Sequence, residues 1–166
     1  WQIPVSLYVD GKKVETQVMQ GETTTIKLDK IPKTVKLNVE QKGFYRARYS
    51  DEMLDRLEKA VRHGEYTHFD RWGLHNDVAA LTLAGEIPLQ RYLKFVRAYD
   101  GEKEYLVLMG IIDNMERLAL ISSNEQFAPQ IERSNRKFYG KIMERVGWKQ
   151  KKDEPEIFSR YFALDG

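Results

Sequence analysis

The sequence predicts a β + α chain, with a small antiparallel β-sandwich at residues 1–49 followed by an all-helical bundle or solenoid segment at 50–166. Three observations carry this. Apolar residues alternate with a period of two as far as Tyr49, they recur at helical spacing after Ser50, and no linker rich in Gly, Pro or Ser lies between. A run of strands followed by a run of helices describes two units rather than a parallel βαβ sheet.

The strands come first. Ile3, Val5, Leu7 and Val9 alternate with Gln2, Pro4, Ser6 and Tyr8. Asp10-Gly11 is a tight-turn signal, and Val14, Thr16 and Val18 resume the alternation, so a β-hairpin is expected. Gly21 breaks the chain. The stretch TTTIKL then reads as a third strand, Ile31-Pro32 as a turn, VKLNV as a fourth strand and FYRARY, after Lys42-Gly43, as a fifth. Strands this short and closely spaced suit a sandwich, one lacking strands that would precede Trp1.

The helices follow. Ser50 is a capping residue, Asp51 and Glu52 complement the helix dipole, and Met53, Leu54, Leu57 and Val61 form one face until Gly64. The second helix starts near Thr67, presents Leu74, Val78 and Leu81, and stops at Gly85. Pro88 suits the first turn of a third, which carries Leu89, Leu93 and Val96 as far as Asp100-Gly101. A fourth runs through Leu106, Met109, Ile112, Met115 and Leu118 to about Ile121. A fifth, from 124 to about 146, shows Phe127, Ile131, Phe138 and Ile142 before Gly147. After Pro155 a last helix presents Ile157, Phe158, Tyr161 and Phe162.

Composition excludes several classes. A content of 42% hydrophobic residues in 166 supports a buried core, and 27 basic against 25 acidic residues leaves a formal charge of +2, no footprint for nucleic acid. The chain has no cysteine, hence no disulfide framework or thiolate chemistry, in keeping with a reducing compartment. No apolar run reaches the roughly 18 residues of a membrane span, and the start lacks the order of a signal peptide. A soluble, cytoplasmic protein is expected. Beginning at WQIPVSLYVDG without an initiator Met and stopping at YFALDG, the chain also reads as a piece of something longer.

A search for chemistry leaves little. His63, His68 and His75 are the only histidines, and none stands one helical turn from another as H-E-x-x-H zinc ligands do; surface or capping positions are expected for all of them. Asp70 and Asp77 lie seven residues apart on one helix face, a spacing open to a catalytic carboxylate pair. With Arg71 and other polar groups nearby, ordinary salt bridges are the favoured reading. Ser122, Ser123 and Ser134 have no histidine close in sequence, and no Gly-rich phosphate loop occurs. Tyr45 and Tyr49 with Arg46 and Arg48 could stack on bases, but packing of a sheet face is the better account. No catalytic, cofactor-binding or metal-binding residue is assigned.

The order of motifs nevertheless carries a resemblance. The strand W-x-I-P-V, then VKLNVEQKGFYRARY, FDRWGLHNDVAALTLAGEI, RVGW and a final FSRYF together resemble the C-terminal region of the gluzincin aminopeptidases, the aminopeptidase N family. GFYRARY looks like the family's G-[FY]-Y-R-V-x-Y, and DRWGLHNDVAALTLAG looks like its D-R-x-x-L-x-x-D-x-x-x-L-A-x-A-G. Ala47 replaces the commoner Val and Thr82 the motif's Ala; Leu81 is the motif's Leu, and Trp72 and Gly73 fall at flexible positions. The overall character is most similar to the archaeal tricorn-interacting aminopeptidase factors.

The resemblance implies an architecture: an N-terminal β domain, a thermolysin-like catalytic domain with zinc on H-E-x-x-H and a distant Glu, a small β-sandwich, and a helical domain closing over the substrate chamber. This chain resembles the sandwich and the first helices, without the zinc ligands, the general-base Glu, the G-[AG]-M-E-N motif or the catalytic Tyr. It is expected to be a noncatalytic piece, with no cofactor of its own and zinc in the parent. The expected partners are the catalytic domain of the same parent chain and, in the parent, peptide substrate, with self-association of the piece through its C-terminal aromatics or open sheet edge. No nucleic acid or membrane is expected. GFYRARY becomes a joint, the last strand running into the first helix, with Arg46 and Arg71 in interdomain salt bridges. The rival expectation is a free-standing protein–protein interaction module.

Overall fold

The structure, a computed structural model, describes residues 2–147. The expected helix with Ile157, Phe158, Tyr161 and Phe162 lies outside the described residues.

The hairpin forms as the alternation requires. Strand β1 (Ile3–Val9) pairs antiparallel with β2 (Lys12–Met19), in register from Val9↔Lys12 to Ile3↔Met19 with an irregularity between Val5 and Leu7. Both turn residues have positive φ, 50° at Asp10 and 74° at Gly11, as a two-residue hairpin demands. A short strand β3 (Val35–Leu37) pairs with the other side of β1, giving the order β2-β1-β3.

Two expected strands are not formed. Residues 23–28 take no place in the sheet, and all but Ile26 are exposed. The β-propensity of three threonines has neither a partner edge nor a buried face to act on. FYRARY is also outside the sheet, because its polar groups are taken elsewhere: the Ala47 amide donates to Asp77, and the Tyr45 carbonyl accepts from the Asn38 side chain. The fourth expected strand is cut to three residues at Asn38, whose left-handed φ of 57° turns the chain into a 3-10 turn at Val39–Gln41.

The helices match the sequence closely at their starts. Ser50 caps α1 (Asp51–Arg62) by accepting the Met53 amide at 3.2 Å, and Thr67 caps α2 (His68–Leu83) by accepting that of Asp70 at 3.2 Å. Pro88 precedes α3 (Leu89–Val96), which tightens into a 3-10 turn at Arg97–Tyr99; α4 is Tyr105–Ile121. The last described helix, α5 (Ala128–Val146), begins later than expected, with Pro129 in its first turn, where a missing N–H costs nothing. Gly64 and Gly147, at φ of 70° and 73°, end α1 and α5.

One continuous core joins the helices. On α3 the buried residues are Tyr92, Phe95 and Val96, with Leu89 and Leu93 only half-buried, so the inward face is rotated from the one expected. Phe127 stands 38% exposed ahead of α5, whereas Ile131, Phe138 and Ile142 are buried. Asp51, Asp55 and Glu58, at i, i+4 and i+7 of α1, all meet the guanidinium of Arg91, which straps α3 to α1.

Candidate functional site

Helix α2 is buried on two faces, which is why its apolar periodicity is weak. Leu74, His75 and Val78 enter the core, while Asp70, Gly73 and Asp77, at i, i+3 and i+7, face the segment that carries the chain from the sheet into α1. Asp70 has no exposed surface. One of its carboxylate oxygens accepts from the Lys36 ammonium at 2.5 Å and from the Glu40 amide at 2.7 Å, and the other accepts from the Thr67 hydroxyl at 2.7 Å. Lys36 is buried too, and its ammonium also donates to the Asn38 carbonyl at 2.8 Å. Burial pushes the Lys36 pKa below its ordinary value, with Asp70 pulling the other way. Desolvation of such a pair is offset only by this density of hydrogen bonds.

Around the ion pair the backbone is strained. Asn38, Glu40 and Gln41 have φ of 57°, 52° and 56°, left-handed conformations that cost a non-glycine residue about 1–2 kcal/mol each. Contacts impose them. The Asn38 amide donates to the carbonyls of Gly43 at 2.9 Å and Tyr45 at 3.2 Å, and its oxygen accepts from the Gly43 amide at 2.7 Å. Gln41 lies flat on Gly73, where a Cβ would stand 1.9 Å from the Gln41 Cδ. A Cβ at Gly73 would therefore displace the Gln41 side chain from its place on α2.

Asp77 holds the far end of the same segment. It accepts from the Ala47 amide at 3.1 Å and from Arg46 at 3.4 Å, and Arg46 also reaches the Asn76 carbonyl at 3.2 Å. Burial raises the Asp77 pKa, against the lowering pull of the Ala47 amide and Arg46. Next along the chain, the Tyr49 hydroxyl accepts from the Leu37 amide at 2.9 Å, closing the segment back onto β3. Both carboxylates that sequence spacing left open to catalysis thus spend their oxygens on internal donors. They position the joint, and Asp77 also lines a cavity of about 480 Å³ with Trp72, Asn76 and Asn114.

The remaining candidates separate. Arg46 links the joint to α2. Arg71 instead forms a two-pronged pair with Glu102, at 2.6 and 2.9 Å, inside the helical part. His63 follows the end of α1, and His68 opens α2. His75 corrects the expectation of a surface or capping position: it is fully buried, with Nε2 3.0 Å from the Tyr92 hydroxyl and no partner on Nδ1. Burial holds its pKa down at about 3, so it is neutral. The Ser122 hydroxyl donates back to the Leu118 carbonyl at 2.6 Å, a helix-internal bond. Among the described residues no cluster of His, Cys, Asp or Glu could hold a metal ion.

Sequence reasoning missed Lys36, Asn38 and Gln41. A signal existed in Thr34, Lys36 and Asn38, the polar half of an alternating strand, but polar alternation normally marks the solvent face. Here that face is the buried one, 9%, 1% and 1% exposed.

Comparison with known proteins defines the class. The model of the ERAP1-like C-terminal domain matches residues 34–163, a span that holds the joint and all the described helices, and the chain belongs to that family, the C-terminal region of the aminopeptidase N family. Aminopeptidase M1-A of Oryza sativa subsp. japonica is 36% identical over 127 residues, covering 74% of this chain and 14% of that protein. Tricorn protease-interacting factor F2 of Thermoplasma volcanium is 24% identical over 157 residues, 95% of this chain and 18% of its own length. Leucyl aminopeptidase of Saccharolobus solfataricus is 27% identical over 173 residues, covering 99% and 20%. The chain spans between 14% and 20% of these relatives.

Proposed function

We propose that this chain is a noncatalytic C-terminal piece of a zinc-dependent aminopeptidase whose parent trims N-terminal residues from peptides in the cytoplasm. In this reading 1–49 and 50–166 are two units, the three-stranded sheet is one layer of a sandwich completed by other strands of the parent, and the helices begin a solenoid over the substrate chamber. The family match over 34–163 carries the proposal. Its support in the geometry is the clamp on α2, because a helical wall that shapes and gates a chamber must hold a fixed angle to the unit it is mounted on. The zinc would supply a Lewis acid and an activated water in the parent. The described residues do not fit it: His75 is sealed in the core, and the two buried aspartates are bound to internal donors. The metal would be held elsewhere in the parent.

In the full-length parent, Asp70→Asn loosens the wall. Turnover of peptides several residues long should fall severalfold while hydrolysis of an aminoacyl arylamide, too small to reach the wall, stays unchanged. Equal effects on both substrates, or none on either, would end the chamber reading. The 166-residue chain alone should hydrolyse neither.

A further inference from the structure

A groove of about 320 Å³ runs between α3 and α5, away from the joint. Gln90, Lys94 and Arg97 on one wall and Gln130, Arg133 and Lys137 on the other each follow i, i+3/i+4, i+7 spacing, so two polar, cationic stripes face each other. Half-buried Leu93 gives the groove an apolar floor, with Val96 and Phe138 buried beneath it. Two charges of the groove are already matched. Lys94 pairs with Asp55 at 2.7 Å, and Asp100, the acid lining the groove, is bound by Lys141. Among the described residues Arg97, Arg133 and Lys137 have no carboxylate within ion-pair distance. Tertiary packing has concentrated along one short groove positive charge that no described carboxylate pairs, in a chain whose net charge is only +2.

We propose that the α3–α5 groove is a docking site for an acidic polypeptide segment of a partner protein. The two stripes supply charge complementarity, which steers and registers an anionic partner. The apolar floor favours a peptide over a bare polyanion, since it rewards an aliphatic side chain set between carboxylates. Seven residues of helix span roughly 10 Å, the length of about three extended residues, so the recognised element is short.

The test uses the 166-residue chain and a fluorescent, end-capped hexapeptide alternating glutamate and leucine, followed by anisotropy. Binding should weaken on going from low salt to about 0.15 M. The doubly substituted Arg133→Ala, Lys137→Ala chain should lose about tenfold in affinity, as should Arg97→Ala with Arg133→Ala. These side chains are exposed, so circular dichroism should not change. Replacing the leucines of the probe by serine should also weaken it. The proposal is overturned if the peptide does not bind, if the substitutions leave its affinity unchanged, or if the serine peptide binds equally well. It is equally overturned if inorganic pyrophosphate, a single-stranded oligonucleotide or an anionic vesicle binds the groove more tightly than the peptide.

Discussion

Acid should unfold this protein through His75. The ring is neutral in the folded state because its pKa is held near 3 by complete burial, against an ordinary value of 6.5. Between those two pH values the unfolded chain takes up a proton that the folded chain refuses, so stability falls as pH falls. The slope is about 1.4 kcal/mol per pH unit for one proton, which makes about 3 kcal/mol between pH 6.5 and pH 4. Carboxylates held below their usual range, among them Asp55 and Glu102, also lose their contribution on acidification. A difference measurement removes them. In His75→Phe with Tyr92→Phe, the titrating ring and the hydroxyl it faces go together, and the lost hydroxyl makes room for the larger ring. Urea unfolding of both proteins at pH 6.5, 5 and 4 should show the natural chain losing about 3 kcal/mol more than the variant. Parallel losses would refute the reasoning and mean that the core opens to water around His75 at no cost.

Asp70→Ala strands the Lys36 ammonium and should cost about 3–5 kcal/mol in urea unfolding, whereas Lys36→Met with Asp70→Leu should recover part of that; strictly additive losses would show that the pair is not coupled. Gly73→Ala should destabilise by about 1–3 kcal/mol through the clash with Gln41, yet be neutral or stabilising in a Gln41→Ala background, where only the gain in helix propensity remains. A Gly73→Ala cost that persists without the Gln41 side chain would point to another contact. Limited proteolysis should not release two folded halves cut near Ser50, since residues 36–47 are bound to α2 on both sides of the turn; a clean cut there would make the joint a hinge.

Much of this protein is determined locally. Alternation and Asp10-Gly11 are enough for the hairpin, because side chains that point to opposite faces and a turn that needs two positive φ values are properties of a few adjacent residues. Ser50, Thr67, Gly64 and Gly147 set helix limits for the same reason: caps act within one turn. The motifs around GFYRARY and DRWGLHND likewise carried the family relationship and marked the joint. Tertiary structure decided the rest. A period of two says that a strand has two faces but not which is buried, and docking on α2 buries the polar one, with Lys36 against Asp70 and Asn38 in the turn. The same docking draws FYRARY out of the sheet, because Asp77 competes for the Ala47 amide, a hydrogen bond between residues 30 apart that no local pattern encodes. His75 reads as polar in sequence and lies sealed among Tyr92 and Tyr99, since only the packing of α2 against α3 and the turn after it determines that this side of the helix never meets water.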